Sequence, residues 1–415
     1  MEARPAGPEL ALAYRVQATL SLSKRNYADA IGWGKRAIEL SKGFGDENNL
    51  AVAHVAVGSA WLFLDFERGC EYLERRLQIA QDSGEDRHIA NLYAYIGSCL
   101  AELYQFRQAE RYLAEGIAYT AERGLDIFSR YMLAWQALTR IHQGRWMEAI
   151  ELSNHLLQNP NFPAISQITA LAAIGRLRTR QGDPGGETVL DEALEMATQT
   201  GSLQYLGLVS AARAEAAWLA GNPDSASAEA RAVYDLAVSK QYPWFAGELA
   251  FWCWKAGVEV TIYDWMAKPF AMQIAGDWRQ AAAEWEQMGC PYEQARALAD
   301  NDSEAQITAL KIFERLGAHP AAEETRQKLH ASGASKVPHQ PRHSTRQNPF
   351  GLTDRQVDIL ALLIQGLSNI QIASRLHISP KTADHHVSAI LSRLDVHSCD
   401  AAARLARQHP HFNNK

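Results

Sequence analysis

A chain of 415 residues with 47% hydrophobic and 21% charged side chains is long enough for two or three domains or one extended repeat array, and its composition excludes a disordered or fibrous protein. A net charge of −6 argues against a general nucleic-acid binder, and the five scattered cysteines (Cys70, Cys99, Cys253, Cys290, Cys399) read as reduced thiols, not as a disulfide framework or a zinc site. Met1 to Pro8 is polar and broken by Pro5, Gly7 and Pro8, unlike a secretory signal, and no apolar run approaches the roughly 18 residues of a membrane span; the expectation is a soluble, cytoplasmic protein without a membrane partner.

Residues 1–330 read as helical throughout, because apolar positions recur at helical spacing and no sustained β-branched alternation occurs. An aromatic residue followed three positions later by a small one, opening an amphipathic helix, recurs as Tyr27…Ala30, Phe66…Gly69, Phe106…Ala109 and Trp146…Ala149, in steps of 39, 40 and 40 residues. Turn signals continue the beat at Gly182-Asp183-Pro184 and Gly221-Asn222-Pro223, and it returns as Gly276-Asp277-Trp278…Ala281. Two antiparallel helices and two turns fit that period. Such a unit has an apolar stripe it cannot bury alone, so it stacks on its neighbours into a solenoid that resembles the tetratricopeptide class with lengthened helices. Residues 242–285 hold six of the eleven tryptophans (Trp244, Trp252, Trp254, Trp265, Trp278, Trp285). Packing between irregular late helix pairs is favoured there over an aromatic ligand pocket, since buried aromatics are chiefly core material.

The helical pattern stops at Ala331. Ser332-Gly333, Pro338, Pro341 and Pro349, with Arg342 and Arg346, make residues 331–350 a flexible basic linker and mark a domain boundary. Charge divides here too. Residues 336–415 hold ten Lys/Arg against five Asp/Glu, and the first 335 residues carry a balance of −11. A small basic end on a large acidic body suits a chain in which one module touches phosphate and the other does not.

Residues 351–415 carry helix signals at every level. Thr353 with Gln356, and Ser368 with Gln371, form two capping boxes, stapled by Leu352/Val357 and Leu367/Ile372. Gly366 ends the first helix. The third starts at Ser379, with Pro380 at its first position. Ala373 is the small residue that lets the next helix cross closely, and His377 stands at the turn that requires a left-handed backbone, which His tolerates. Ile378, just before the third helix, and then Val387, Ile390, Leu391 and Leu394 along it point inward at helical spacing. Lys381, Thr382, Asp384, His385, Ser388 and Ala389 fall on or near the opposite face, in the turns that enter a major groove. Lys381 and Thr382 suit phosphate, and the amide ends capped by Ser368 and Ser379 suit further anions. Asp384 and His385 are placed to read bases, with cytosine N4 the best match for Asp384.

The run GLSN…IA…L.IS.KT…H, within Leu352 to about Leu405, closely resembles the LuxR-type helix-turn-helix family. The resemblance implies a four-helix domain binding double-stranded DNA as a homodimer. Its third helix (Ser379–Leu394) would lie in the major groove and its fourth (about Ser398–Gln408) would contribute to pairing. The candidate DNA-contacting set is Ser368, Asn369, Ser379, Lys381, Thr382, Asp384, His385, Ser388 and Ala389. Three residues depart from the family pattern: Ala383 for valine, Gln356 for glutamate, and Cys399 for arginine. Upstream, AGDWRQAAAEWEQMGCPYEQARALAD and IFERLGAHPAA resemble the end of the helical-repeat region of the large ATP-dependent LuxR-type regulators. Their nucleotide-binding signature G-x-x-x-x-G-K-[ST] does not occur here, so the chain looks like the repeat-plus-DNA-binding half alone.

His385-His386, and His409 with His411, do not make a metal site: adjacent helical side chains diverge by about 100°, and no Cys or carboxylate joins them at ligand spacing. No nucleophile–base constellation or phosphate loop suggests an enzyme or a bound cofactor. The expected function is bacterial transcription regulation, with the repeats sensing an effector or partner. The rival is an interaction scaffold with a vestigial helix-turn-helix. A small effector, a partner protein and self-association all stay open for the solenoid.

Overall fold

The computed structural model describes residues 7–158, 163–332, 350, 352–394, 396 and 398–407. The linker expected at 331–350 lies almost entirely outside the described residues. Twenty-two helices and no strand occur among those described, as an all-α repeat array followed by a DNA-binding domain requires. None of these helices is long and apolar enough to cross a membrane.

The chain divides into two compact units, residues 1–312 with 319–325, and residues 313–318 with 326–415. The first opens with six helical hairpins: α1 (Pro8–Ser23) and α2 (Tyr27–Phe44), α3 (Glu47–Leu64) and α4 (Phe66–Ser83), α5 (Asp86–Glu102) and α6 (Phe106–Glu122), α7 (Asp126–His142) and α8 (Trp146–Leu157), α9 (Ala164–Gln181) and α10 (Gly185–Thr200), α11 (Leu203–Leu219) and α12 (Pro223–Ser239). Shorter helices follow: α13 (Pro243–Lys255), α14 (Lys268–Ile274), α15 (Trp278–Gln287) and α16 (Pro291–Leu298). The last pair, α17 (Ser303–Leu316) and α18 (His319–Ala331), is shared between the units.

The aromatic residues of the sequence repeat begin helices: Tyr27, Phe66, Phe106 and Trp146 each open the second helix of a hairpin, and Trp278 opens α15. The small residue three positions on is where that helix crosses the preceding one. Ala30, Ala109 and Ala149 are fully buried, and a Cβ on Gly69 would fall on the backbone of Leu62. The turn two residues before four of the aromatics is left-handed, at Arg25, Tyr104, Gly144 and Gly276. Arg25 and Tyr104 pay a steric penalty there that glycine does not.

Odd-numbered helices α1 to α13 form an inner row, each packed on the next, so those within the row are flanked on both sides. This accounts for α9, where Ser166, Ile168 to Leu177, Thr179 and Arg180 are all buried. The first unit also curls onto itself. Ser202 Oγ donates to the Ser23 carbonyl at 2.9 Å, and Lys240 Nζ donates to Asn26 Oδ1 at 2.7 Å, so the first turn meets those preceding α11 and α13.

The inside of that curl holds ions. Arg180 pairs with Glu215 (Nε–Oε1, 2.8 Å) and Glu293 (Nη2–Oε1, 2.8 Å); Arg176 pairs with Glu215 and Glu248; His142 Nδ1 lies 3.3 Å from Glu293 Oε1. Burial alone would raise the Glu293 carboxyl, but Arg180 and then His142 hold it well below the usual carboxylate range. A second buried pair, Arg25–Glu102, receives Gln204 Nε2 on Glu102 Oε2 at 3.0 Å. Of the clustered tryptophans, Trp252 and Trp285 are buried, and Trp244 stacks on Tyr104 at 4.0 Å. These three therefore pack within the repeat unit.

Candidate nucleic-acid interface

The C-terminal helices are α19 (Asp354–Ile364), α20 (Asn369–Arg375), α21 (Pro380–Arg393) and α22 (Cys399–Arg407). Both capping boxes form. Thr353 Oγ1 accepts from Gln356 N at 3.3 Å while Gln356 Oε1 accepts from Thr353 N at 2.8 Å. Ser368 and Gln371 repeat the exchange at 3.4 and 2.9 Å. Ser379 Oγ accepts from Thr382 N at 3.0 Å, and Pro380 takes the first helical position, where no amide proton is needed.

The connection from α20 to α21 is short because His377 adopts φ = 53°. Arg355 Nη2 then donates to the Leu376 carbonyl at 2.6 Å, tying α19 to the turn. Arg407 Nη2 does the same for α22, reaching the Ile364 carbonyl at 2.6 Å. These orphan carbonyls at helix ends are thus satisfied by guanidinium groups that also favour the negative end of the helix dipole. Leu352, Ile359, Leu360, Ile372, Ala373, Ala383, Val387 and Ile390 form the small core, with Ala402 and Ala406 of α22 buried too. Ile378, Leu391 and Leu394 are half-buried at its margin.

The opposite side of α21 is open. Lys381, Thr382, Asp384, His385, Ser388 and Ala389 are all exposed, with His386 half-buried at the border. Lys381, Asp384, His385 and Ser388 stand at i, i+3, i+4 and i+7, one strip about 10 Å long. Ser368 and Ser379 are exposed at the starts of α20 and α21; Asn369 is half-buried.

One contact was not legible in the spacing. Asn369 Nδ2 donates to Asp384 Oδ1 at 2.6 Å, joining the start of α20 to α21 across the turn. The Asp384 carboxylate is therefore partly engaged, and its second oxygen carries what acceptor capacity is left for a base. Thr382 Oγ1 likewise lies 2.7 Å from Ser379 Oγ, so its hydroxyl serves the helix cap as well as the surface. Ile370, at 72% exposure in the first turn of α20, was not singled out by the sequence; an apolar residue directly after Ser368 and Asn369 was the available signal.

Residues 351–406 match the model of the luxR family of bacterial regulatory proteins. The response regulator proteins VraR of Staphylococcus aureus, Staphylococcus saprophyticus and Staphylococcus epidermidis are each 48% identical to this chain over 58 residues, which is 14% of the chain and 28% of the relative. The chain thus spans little more than a quarter of the length of these curated relatives. α20 and α21 meet at the left-handed turn of His377 with the outer face of α21 free, and the same residues match the family: the C-terminal domain of this chain, residues 351–406, is a helix-turn-helix domain of the luxR family of bacterial regulatory proteins.

Proposed function

We propose that the protein is a sequence-specific, DNA-binding transcription regulator that acts in the cytoplasm, grips DNA as a homodimer, and takes its signal through the helical repeats as a bound effector or partner. The observation that carries this reading is the outer face of α21. Lys381, Thr382, Asp384, His385 and Ser388 are exposed together while the opposite face builds the core. The core makes no demand on those five side chains, and a base-reading helix does. Lys381 grips phosphate, with the amide ends at Ser368 and Ser379 as further anion sites; His385 and the remaining oxygen of Asp384 face base edges. Ser388 and Ala389 lie further along the strip.

Binding-site selection from random duplexes with the full chain tests it. One enriched sequence, held with an affinity that falls steeply as salt rises, is the expected result. Equal affinity for all duplexes would return the protein to the scaffold reading.

A further inference from the structure

Helix α1 is apolar on two opposite faces. Ala11, Tyr14, Ala18, Ser21 and Leu22 are buried against the repeat unit. On the far side Leu12, Val16 and Leu20 are 43, 39 and 46% exposed. Spacing of four residues aligns them into one stripe, about 12 Å from Leu12 to Leu20. The outer helix beside it is different: the exposed positions of α2 include Asp29, Lys35, Arg36, Glu39 and Lys42. The pattern of α1 is that of the inner helices α5 and α9, which are buried on nearly every side because a neighbour packs against each flank.

We infer that this stripe is the surface on which two copies of the chain pair, α1 against α1, antiparallel about a two-fold axis through Val16. The stripe is its own complement. In that arrangement Leu12 meets Leu20 of the second copy, Leu20 meets Leu12, and the two Val16 side chains touch on the axis, as an isologous interface demands. Charge agrees with the antiparallel sense. Exposed Glu9, in the first turn, comes beside exposed Lys24, which ends the same helix in the second copy. A parallel pairing would set Glu9 on Glu9 and Lys24 on Lys24. The antiparallel one also places each helix's positive end beside the other's negative end.

Three aliphatic side chains from each copy bury less than the roughly 800 Å² per partner of a standard interface. The pair is accordingly weak in isolation. It gains strength when two DNA-binding domains occupy one duplex, because the second contact is then made at high effective concentration. That last step rests on the DNA-binding reading above; the pairing itself does not.

Sedimentation of the full chain without DNA, from about 1 to about 100 µM, is the test. The wild type should move toward twice its monomer mass across the range. Val16→Glu places two carboxylates on the axis and should weaken association by at least about tenfold, with helical circular dichroism unchanged because the site is exposed. Glu9→Lys and Lys24→Glu should each weaken it, and the two together should restore it. A wild type that stays monomeric throughout, a dimer indifferent to Val16→Glu, or a charge swap that fails to restore pairing would each overturn the inference. Loss of sequence-specific DNA binding would leave these readouts standing and would count against the DNA-binding reading instead.

Discussion

Arg180 in α9 and His385 in α21 both sit on helices that place polar side chains along one face, and the two faces have opposite fates. In the repeat unit the polar face of α9 is met by Glu215 of α11, Glu248 of α13 and Glu293 of α16, so Arg176 and Arg180 are buried and paired with carboxylates. In the DNA-binding domain the polar face of α21 is left in solvent. The difference follows from architecture. A solenoid's inner helix must offer both flanks to neighbours, so its charges are enclosed and have to be neutralised inside the fold. A helix-turn-helix packs its third helix on one side only, and the other is free for a ligand. The same residue types are thus structural in one unit and available for recognition in the other.

The largest expected effect breaks the enclosed side. Arg180→Ala removes the cation that Glu215 and Glu293 share, leaving Glu215 only Arg176 and Glu293 only His142, and should destabilise the repeat unit by about 3–5 kcal/mol in chemical denaturation. Lys381→Ala, made on the open side, should leave the unfolding midpoint in place and reduce the slope of DNA affinity against salt by about one phosphate contact. Equal stability losses from the two would erase the distinction between the faces.

Asp384 sharpens the comparison, since it has both a structural partner and an open position. If it accepts from a base, Asp384→Ala and Asp384→Asn should both lose about 1–3 kcal/mol of discrimination at one base pair, with non-specific affinity held or raised. If it only orients Asn369, Asp384→Asn should keep the wild-type preference in site selection, because an amide oxygen can still accept that hydrogen bond. Next in size is the cap beneath this face: Ser379→Ala should cost about 1 kcal/mol of domain stability, seen as an earlier melting transition of the C-terminal unit.

At neutral pH the smallest expected effect returns to the repeats, where it emerges only as the pH falls. His54, whose Nδ1 lies 2.6 Å from the Tyr72 hydroxyl, has its pKa lowered from 6.5 to about 4 by burial, with Arg76 and Lys42 adding to the shift. Folding therefore favours the neutral ring. Its contribution is complete above about pH 6.5 and is lost as pH falls toward 4, where the unfolded chain takes up a proton that the folded one resists. His54→Gln, which can still bond to Tyr72, should flatten the melting temperature between those values. An unchanged pH profile would place the ring's titration elsewhere.

Much of this was legible along the chain because it depends on near neighbours. Helix starts at Tyr27, Phe66, Phe106 and Trp146, the capping pairs Thr353/Gln356 and Ser368/Gln371, and the left-handed turn at His377 each involve residues within about one turn of helix. The exposed set on α21 follows from helical periodicity once its start is known. Contacts between distant segments had no such signature. Nothing in the spacing of Arg180, Glu215 and Glu293 announces a buried ionic cluster, and they meet only because the inner row curls until α16 lies against α7 and α9. Nor does the sequence show that Asn369 engages Asp384, which depends on the angle at which α20 and α21 cross. The sequence alone determined where helices begin and which face each presents, because caps and periodicity act over a few residues. Tertiary structure decided which polar faces are enclosed and which stay open, because burial of a charge depends on what the folded chain brings against it.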